Sequence, residues 1–241
     1  LLHVQGDTYL LRSAVAFDSR DRLERFLSAI QLVIDRHDIL RSGFCWEGLD
    51  RPVQVVHRQA RLPVIELALS AETAALPQML AQVDPDRLRL DVRAAPLLAA
   101  YVAADPQSGE WLLVLLYHHL VGDHVTLELM LSEVHALLHG RGETLPRPLP
   151  YRNFIAQVQA VSLAEHEQYF RSQLGDVEEP TAPFGVLDVH GDGGRVEEAR
   201  VALDDALATR LRAVARQAGV TPAVLFHMAW AQVLAHCSGR A

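Results

Sequence analysis

Two adjacent histidines, with an aspartate four residues beyond the second, stand in the stretch His118-His119-Leu120-Val121-Gly122-Asp123, directly after the apolar run Leu112 to Tyr117. Imidazole is the side chain whose ordinary pKa lies nearest neutrality, so a histidine facing a cleft can hold an amine or accept its proton at working pH. A nearby carboxylate can orient that ring or brace the loop. The apolar run is short and rich in Leu and Val, as in a buried strand, and chemistry in such folds is often placed where the strand ends. Successive strand residues point to opposite faces, so His118 and His119 cannot share one environment and one of them is free to face a cleft. A proton-handling site is therefore the first expectation.

Other chemistries fit these residues less well. His118, His119, Asp123 and His124 are all metal-ligand types within seven residues, but a zinc site needs three or four side chains converging on one point. Adjacent strand histidines diverge, and Gly122 disfavours the helix that would bring His119 and Asp123 to one face, so no metal is expected. The Gly-x-Ser-x-Gly elbow of a serine hydrolase is absent, as is any glycine-rich phosphate loop.

The elements that must position the histidines are legible from periodicity. Tyr9 to Phe17 reads as a strand, followed by a helix over 20–37 capped by Asp18, with Leu23, Phe26, Leu27, Ile30, Val33 and Ile34 on its buried side. Short strands are expected at 42–46, 52–56 and 64–67, then a helix opened by Ser70 and ending near Leu88. Leu97 to Ala104 and Glu110 to Tyr117 read as a strand pair across the turn formers Asp105, Pro106 and Gly109, which makes the histidine strand paired and central. Val125 to His139 reads as a helix, 140–150 as a connection, and Tyr151 to Leu174 as a second amphipathic unit. The segment 175–194 is rich in Gly, Pro and Asp without apolar periodicity and marks a junction. A strand over 195–203, a helix over 204–217 stopped by Gly219, and a helix opened by Thr221-Pro222 complete the chain.

Composition narrows the class. Half of the 241 residues are hydrophobic, enough for a sizeable core. The formal net charge of −8, with no clustered basic stripe, argues against nucleic acid as a partner. All 22 basic residues are arginine, a codon-usage feature with no functional meaning. Cys45 and Cys237 are far apart and suggest no disulfide scaffold. No apolar stretch reaches about 18 residues without a charge, so no membrane span is expected, and nothing at the start resembles a signal peptide. A cytoplasmic location is the corresponding expectation.

The pattern His-His-x-x-x-Asp after an apolar strand resembles the signature of nonribosomal peptide synthetase condensation domains and, more widely, of chloramphenicol acetyltransferase-like acyltransferases. Two further segments carry the same resemblance in the same order. Arg36-His37-Asp38-Ile39-Leu40-Arg41-Ser42-Gly43-Phe44 is similar to the family's Arg-His-Glu-x-Leu-Arg-Thr-x-Phe motif, and Tyr151-Arg152-Asn153-Phe154-Ile155-Ala156 to its Tyr-x-Asp-Phe-Ala motif. After Asp123 this chain has His124 where the family motif continues with glycine.

The resemblance implies an α/β fold: a chloramphenicol acetyltransferase-like lobe with a mixed β-sheet flanked by the helices at 20–37, 125–139 and 151–174, and the beginning of a second similar lobe. It divides the chain into an N-terminal lobe over 1–175, an inter-lobe linker over 176–194 and the start of an incomplete C-terminal lobe over 195–241. It makes His119 the catalytic residue and His118 a structural one, pairs Asp123 with Arg41 in a structural salt bridge, and leaves Gly122 and His124 as supporting loop residues. The implied activity is amide-bond formation, in which a carrier-bound aminoacyl amine attacks a carrier-bound acyl or peptidyl thioester. The partners are donor and acceptor peptidyl carrier domains and a neighbouring adenylation domain. No cofactor is bound directly, because the substrates ride on the carriers' phosphopantetheine. An epimerisation domain, a stand-alone acyltransferase of the same superfamily and a non-catalytic docking or recruitment module share enough of these features to remain open.

Overall fold

In the computed structural model the described residues are 6–187 and 199–239. A four-stranded mixed sheet forms the centre of the first compact unit. Its strands are β1 (Leu10–Phe17), β4 (Val64–Glu66), β5 (Leu98–Ala104) and β6 (Trp111–His118), in the order β1-β6-β5-β4. β6 runs antiparallel to both neighbours, while β4 and β5 are parallel. The histidine strand is thus interior, as its continuous apolar character requires. A separate two-stranded ribbon pairs β2 (Ser42–Cys45) with β3 (Val53–Val56).

Both faces of the sheet are covered, and the period of two assigns the side chains. Leu113 and Leu115 of β6, with Leu98, Ala100 and Val102 of β5, pack against α1 (Arg20–Arg36) and α3 (His124–Leu138) through Ile30, Val33, Ile34, Met130 and Val134. Leu112, Val114 and Leu116 face the other way, with Leu10 and Ala103, onto Ala75, Met79 and Val83 at α2 (Ala75–Gln82). The second covering element within this compact unit is therefore α2, where the sequence pointed to the 151–174 unit, whose residues 151–159 carry no buried side chain.

That unit is also two helices, α4 (Tyr151–Gln159) and α5 (Leu163–Leu174). The break has a local cause: Ser162 accepts from the Glu165 N–H while the Glu165 carboxylate accepts from the Ser162 N–H, a reciprocal cap that starts a new helix. α1 is capped by Ser19 rather than Asp18, whose carboxylate instead accepts from Arg22 at 2.6 Å. α2 is shorter than expected at both ends. The Ser70 hydroxyl accepts from the Glu72 N–H in a local turn while its backbone N–H and carbonyl bond the Gln78 side chain, so it does not cap the helix, and Pro85 disfavours helical backbone at Asp84.

The first compact unit ends at Ala160 and the second begins at Val161. The second holds α5, α6 (Asp205–Ala218) and α7 (Pro222–Cys237). α6 is capped by the Asp204 side chain and closed by Gly219 in the left-handed region. Of the strand expected over 195–203, residues 195–198 lie outside the described residues. Residues 199–203 are not a strand, because no described segment pairs with them and an unpaired strand leaves its backbone groups unsatisfied. Among the described residues no single helix is long and apolar enough to cross a membrane; α6 and α7 reach that composition together only across a 102° bend.

Leu116 is fully buried, two residues before His118 on the same face of β6. Leu116→Ala should cost about 2–5 kcal/mol in urea unfolding, the range for a buried leucine whose site cannot collapse, and should weaken the site with it.

Candidate active site

Strand parity separates the two histidines. His118 continues the row of Leu112, Val114 and Leu116 and is only 1% exposed, whereas His119 turns to the opposite side and is exposed. Each ring has one nitrogen committed to the loop. The Nδ1 of His118 accepts from the Leu120 N–H at 3.0 Å, so its proton is on Nε2, which donates to Asp7 Oδ2 at 3.1 Å. Nδ1 of His119 lies 3.0 Å from the Gly122 carbonyl oxygen. A carbonyl can only accept, so Nδ1 carries the proton and Nε2 holds the lone pair.

Asp7 is the partner that sequence reading missed. It is buried, and both carboxylate oxygens are used: Oδ2 by His118 and Oδ1 by the Tyr9 N–H at 3.0 Å. Its own N–H donates to the Pro85 carbonyl at 2.7 Å. The approach is so close that a Cβ on the preceding Gly6, at φ +77°, would meet the Asp86 carbonyl oxygen at 2.5 Å. The Tyr9 carbonyl accepts from the His119 N–H at 2.8 Å, so the segment before β1 holds both histidines at the end of β6.

Burial pushes the His118 pKa below its ordinary value near 6.5, outweighing the attraction of the Asp7 carboxylate. The folded protein therefore keeps a neutral ring that the unfolded chain would protonate. The stability this contributes is present above pH 6.5 and is lost as pH falls below it towards the folded pKa.

The expected Asp123–Arg41 ion pair is not formed. α3 begins at His124, which makes Asp123 its N-cap: Oδ1 accepts from the Thr126 N–H at 2.9 Å and from its hydroxyl at 3.0 Å. The bond from the Thr126 N–H, followed by that from its hydroxyl, holds the Asp123 carboxyl below the usual range. Arg41 is engaged elsewhere, because β2–β3 pairing brings His57 beside it. Its guanidinium donates to the His57 carbonyl and, at 3.4 Å, to that of Arg58. Gly122 is required by closeness, since a Cβ there would lie 2.8 Å from the Thr126 methyl. His124 is the first residue of α3, where backbone is helical and no glycine conformation is called for.

The other two motifs close around this loop. Both oxygens of Asp38 accept from the Tyr151 N–H, at 3.0 and 2.9 Å, which fixes the start of α4 beside the end of α1. Glu133 of α3 accepts from Arg36 Nε and from His37 Nε2, each at 3.0 Å on the same oxygen. Burial opposes ionisation of Glu133, but these two donors together outweigh it and hold its pKa below the ordinary value. A cavity of about 410 Å³ is lined by residues of all three motifs, among them His37, Leu40, His119, Asp123 and Tyr151. His119 also borders a second cavity of about 530 Å³, with Tyr9, His118 and Leu120.

The profile of the family described as "Condensation domain" matches residues 1–241. The chain belongs to the condensation-domain family. It is 47% identical over 242 residues to malpinin synthetase of Mortierella alpina, covering all of this chain and 3% of that protein. It is 34% identical over 218 residues to nonribosomal peptide synthetase ungA of Aspergillus violaceofuscus, covering 88% of this chain and 2% of that one. The chain thus spans a few per cent of the length of these relatives. The fold is also that of solved condensation domains. The domain from monacolin K polyketide synthase MokA superposes with TM-score 0.68 at 21% identity, covering 96% of this chain and 55% of that one. The first condensation domain of the CDA synthetase gives 0.65 at 18%, covering 98% and 58%. The mixed α/β architecture of the condensation domain is therefore the architecture found here.

Substitutions at two positions test this wiring. Asn at position 7 has one acceptor for two donors, so Asp7→Asn faces an N–H against either Tyr9 N–H or His118 Nε2–H. It should cost about 1–3 kcal/mol in urea unfolding, the scale of an unsatisfied buried polar group, and unchanged stability would show that the Asp7–His118 bond does not hold the loop. Asp123→Ala should lower the melting temperature by roughly 2–4 °C while Asp123→Asn, which still caps, stays near wild type. Equal losses for Ala and Asn would instead indicate an ion pair.

Proposed function

We propose that this chain forms amide bonds between two carrier-tethered substrates: the acceptor's amine attacks the donor's acyl or peptidyl thioester, and the acyl group passes to the acceptor nitrogen. The observation that carries this reading is His119, whose Nδ1–H is tied to a backbone carbonyl while no described residue engages Nε2, on a residue bordering two cavities. Two reactants approaching from different sides need a single group between them that manages a proton. The family supports the same conclusion, since a relative that matches most of this chain is a nonribosomal peptide synthetase.

The thioester is already activated, so the segment needs neither ATP nor a cofactor of its own. What it supplies is alignment, which can lower a barrier by about 7–11 kcal/mol where the fit is good, and one positioned imidazole. His119 Nε2 takes a proton from the attacking nitrogen, and the imidazolium so formed keeps its Nδ1–H bond to Gly122, so the ring does not reorient during the step. The Gly122 N–H finds no acceptor among the described residues and belongs to the same loop. It is suited to polarise the developing oxyanion. In this reading the partners are a donor and an acceptor carrier domain, whose phosphopantetheine arms bring in both substrates, with a neighbouring adenylation domain charging the acceptor.

In the full-length protein His119→Ala should leave thermal unfolding unchanged, because the side chain is exposed, while product formation between two loaded carriers falls roughly 10²-fold or more. Activity retained by His119→Ala would make it a packing residue and leave positioning alone to account for turnover. Turnover of one loaded carrier with inversion at its α-carbon would identify an epimerase instead.

A further inference from the structure

A second imidazole lines the His119 cavity. His37 ends α1, and its Nε2 is 3.0 Å from Glu133 Oε2. A carboxylate accepts, so Nε2 carries the proton and Nδ1 holds a lone pair that no described residue uses. The side chain is 30% exposed while its carboxylate partner is only 14% exposed. The arrangement is that of a ring oriented from behind by a half-buried carboxylate and open in front, and it repeats the one-tied, one-free pattern of His119. Holding α1 to α3 does not require it, since Arg36 already makes that link to the same oxygen and anchors itself on the Pro146 carbonyl. The charged and titratable groups near His37 include Arg36 on α1, the adjacent Asp38, whose carboxylate holds the Tyr151 N–H, Glu133 on α3, and His119, Asp123 and Tyr151 lining the same cavity.

We propose that His37 is a second proton acceptor of this site, taking the proton that the acceptor's ammonium must lose before it can attack. This rests on the condensation reading and deepens it. An α-amine has an ordinary pKa of about 7.7–8.0, so at neutral pH the acceptor is mostly R–NH3+ and has no lone pair to offer. Two protons must leave that nitrogen before an amide exists. His37 Nδ1 takes the first, giving R–NH2. The amine then forms the C–N bond as the carbonyl π pair moves to oxygen, and His119 Nε2 takes the second proton from the tetrahedral adduct. As the carbonyl re-forms, the C–S bond breaks with its pair going to sulfur, and the His119 proton returns to the thiolate. His37 releases its proton to solvent. The balance is R–NH3+ plus thioester giving amide, thiol and one proton, with no other reactant.

The test uses the full-length protein with loaded donor and acceptor carriers, comparing an aminoacyl acceptor with an aminooxyacyl acceptor whose amine is already neutral at pH 7. His37→Gln, which retains an N–H for Glu133, should slow the aminoacyl reaction at pH 7 by roughly 10-fold or more. The deficit should shrink as pH rises through the ammonium pKa and be absent with the aminooxy acceptor. Glu133→Gln, which keeps the hydrogen bonds but removes the charge behind the ring, should show the same pH-correctable loss in milder form, and it carries the test if His37→Gln does not fold. A loss equal for both acceptors and flat with pH, or no loss, would overturn the proposal and leave His37 a structural tie between α1 and α3. A wild-type protein inactive with both acceptors would instead overturn the condensation reading beneath it.

Discussion

The hydrogen bond between Asp7 and His118 is the constraint on which the site depends. A histidine at the end of an interior strand, packed on the α2 face of the sheet, would be costly if either ring nitrogen were unpaired. Here both are satisfied, and the direction of the protons is forced: the Leu120 N–H fixes Nδ1 as acceptor, and Asp7 takes the proton on Nε2. The loop after β6 is thereby pinned through Leu120 and through the His119 N–H on Tyr9. His119 inherits its orientation from this clamp. Because the strand alternates, fixing one histidine inward commits the next one outward, and the structural ring sets the position of the reactive one.

Carboxylates do comparable work around the cavity, each at the end or side of a helix. Asp123 starts α3, Asp38 receives the first N–H of α4, and Glu133 draws Arg36 and His37 of α1 onto α3. Segments separated by roughly a hundred residues are thus joined by charge-assisted bonds rather than by apolar packing alone, and such bonds are short and directional. This explains why the three motifs gather at one place: each contributes a helix terminus, and helix termini carry the unsatisfied groups that polar side chains can bind.

Much of this was legible in the sequence because it is local. The periodicity of Leu23 to Ile34 marked α1, the apolar run marked β6, and the His-His-x-x-x-Asp spacing marked the loop. What stayed hidden was non-local or competitive. Asp7 lies 111 residues from His118, and only the pairing of β1 with β6 brings them together. The Arg41–Asp123 pairing was displaced because each residue had a nearer claimant, a helix N-terminus for Asp123 and the carbonyls after β3 for Arg41. The break between α4 and α5 had a readable signal in Ser162-Leu163-Ala164-Glu165, a capping box that interrupts an otherwise continuous amphipathic pattern. His37 was read as part of a motif without a role of its own, since its significance lies in facing the same cavity as His119.

The position after Asp123 shows how a motif residue can differ without disturbing the geometry. His124 is the first residue of α3, and its backbone lies in the helical region that any residue adopts. A glycine there would add backbone freedom to the unfolded chain without relieving strain in the folded one. The glycine the loop does require is Gly122, where a side chain would collide with Thr126. Closeness at 122 and capping at 123 together set the turn between β6 and α3. The side chain at 124 stands outside both constraints and is free to vary without moving His119.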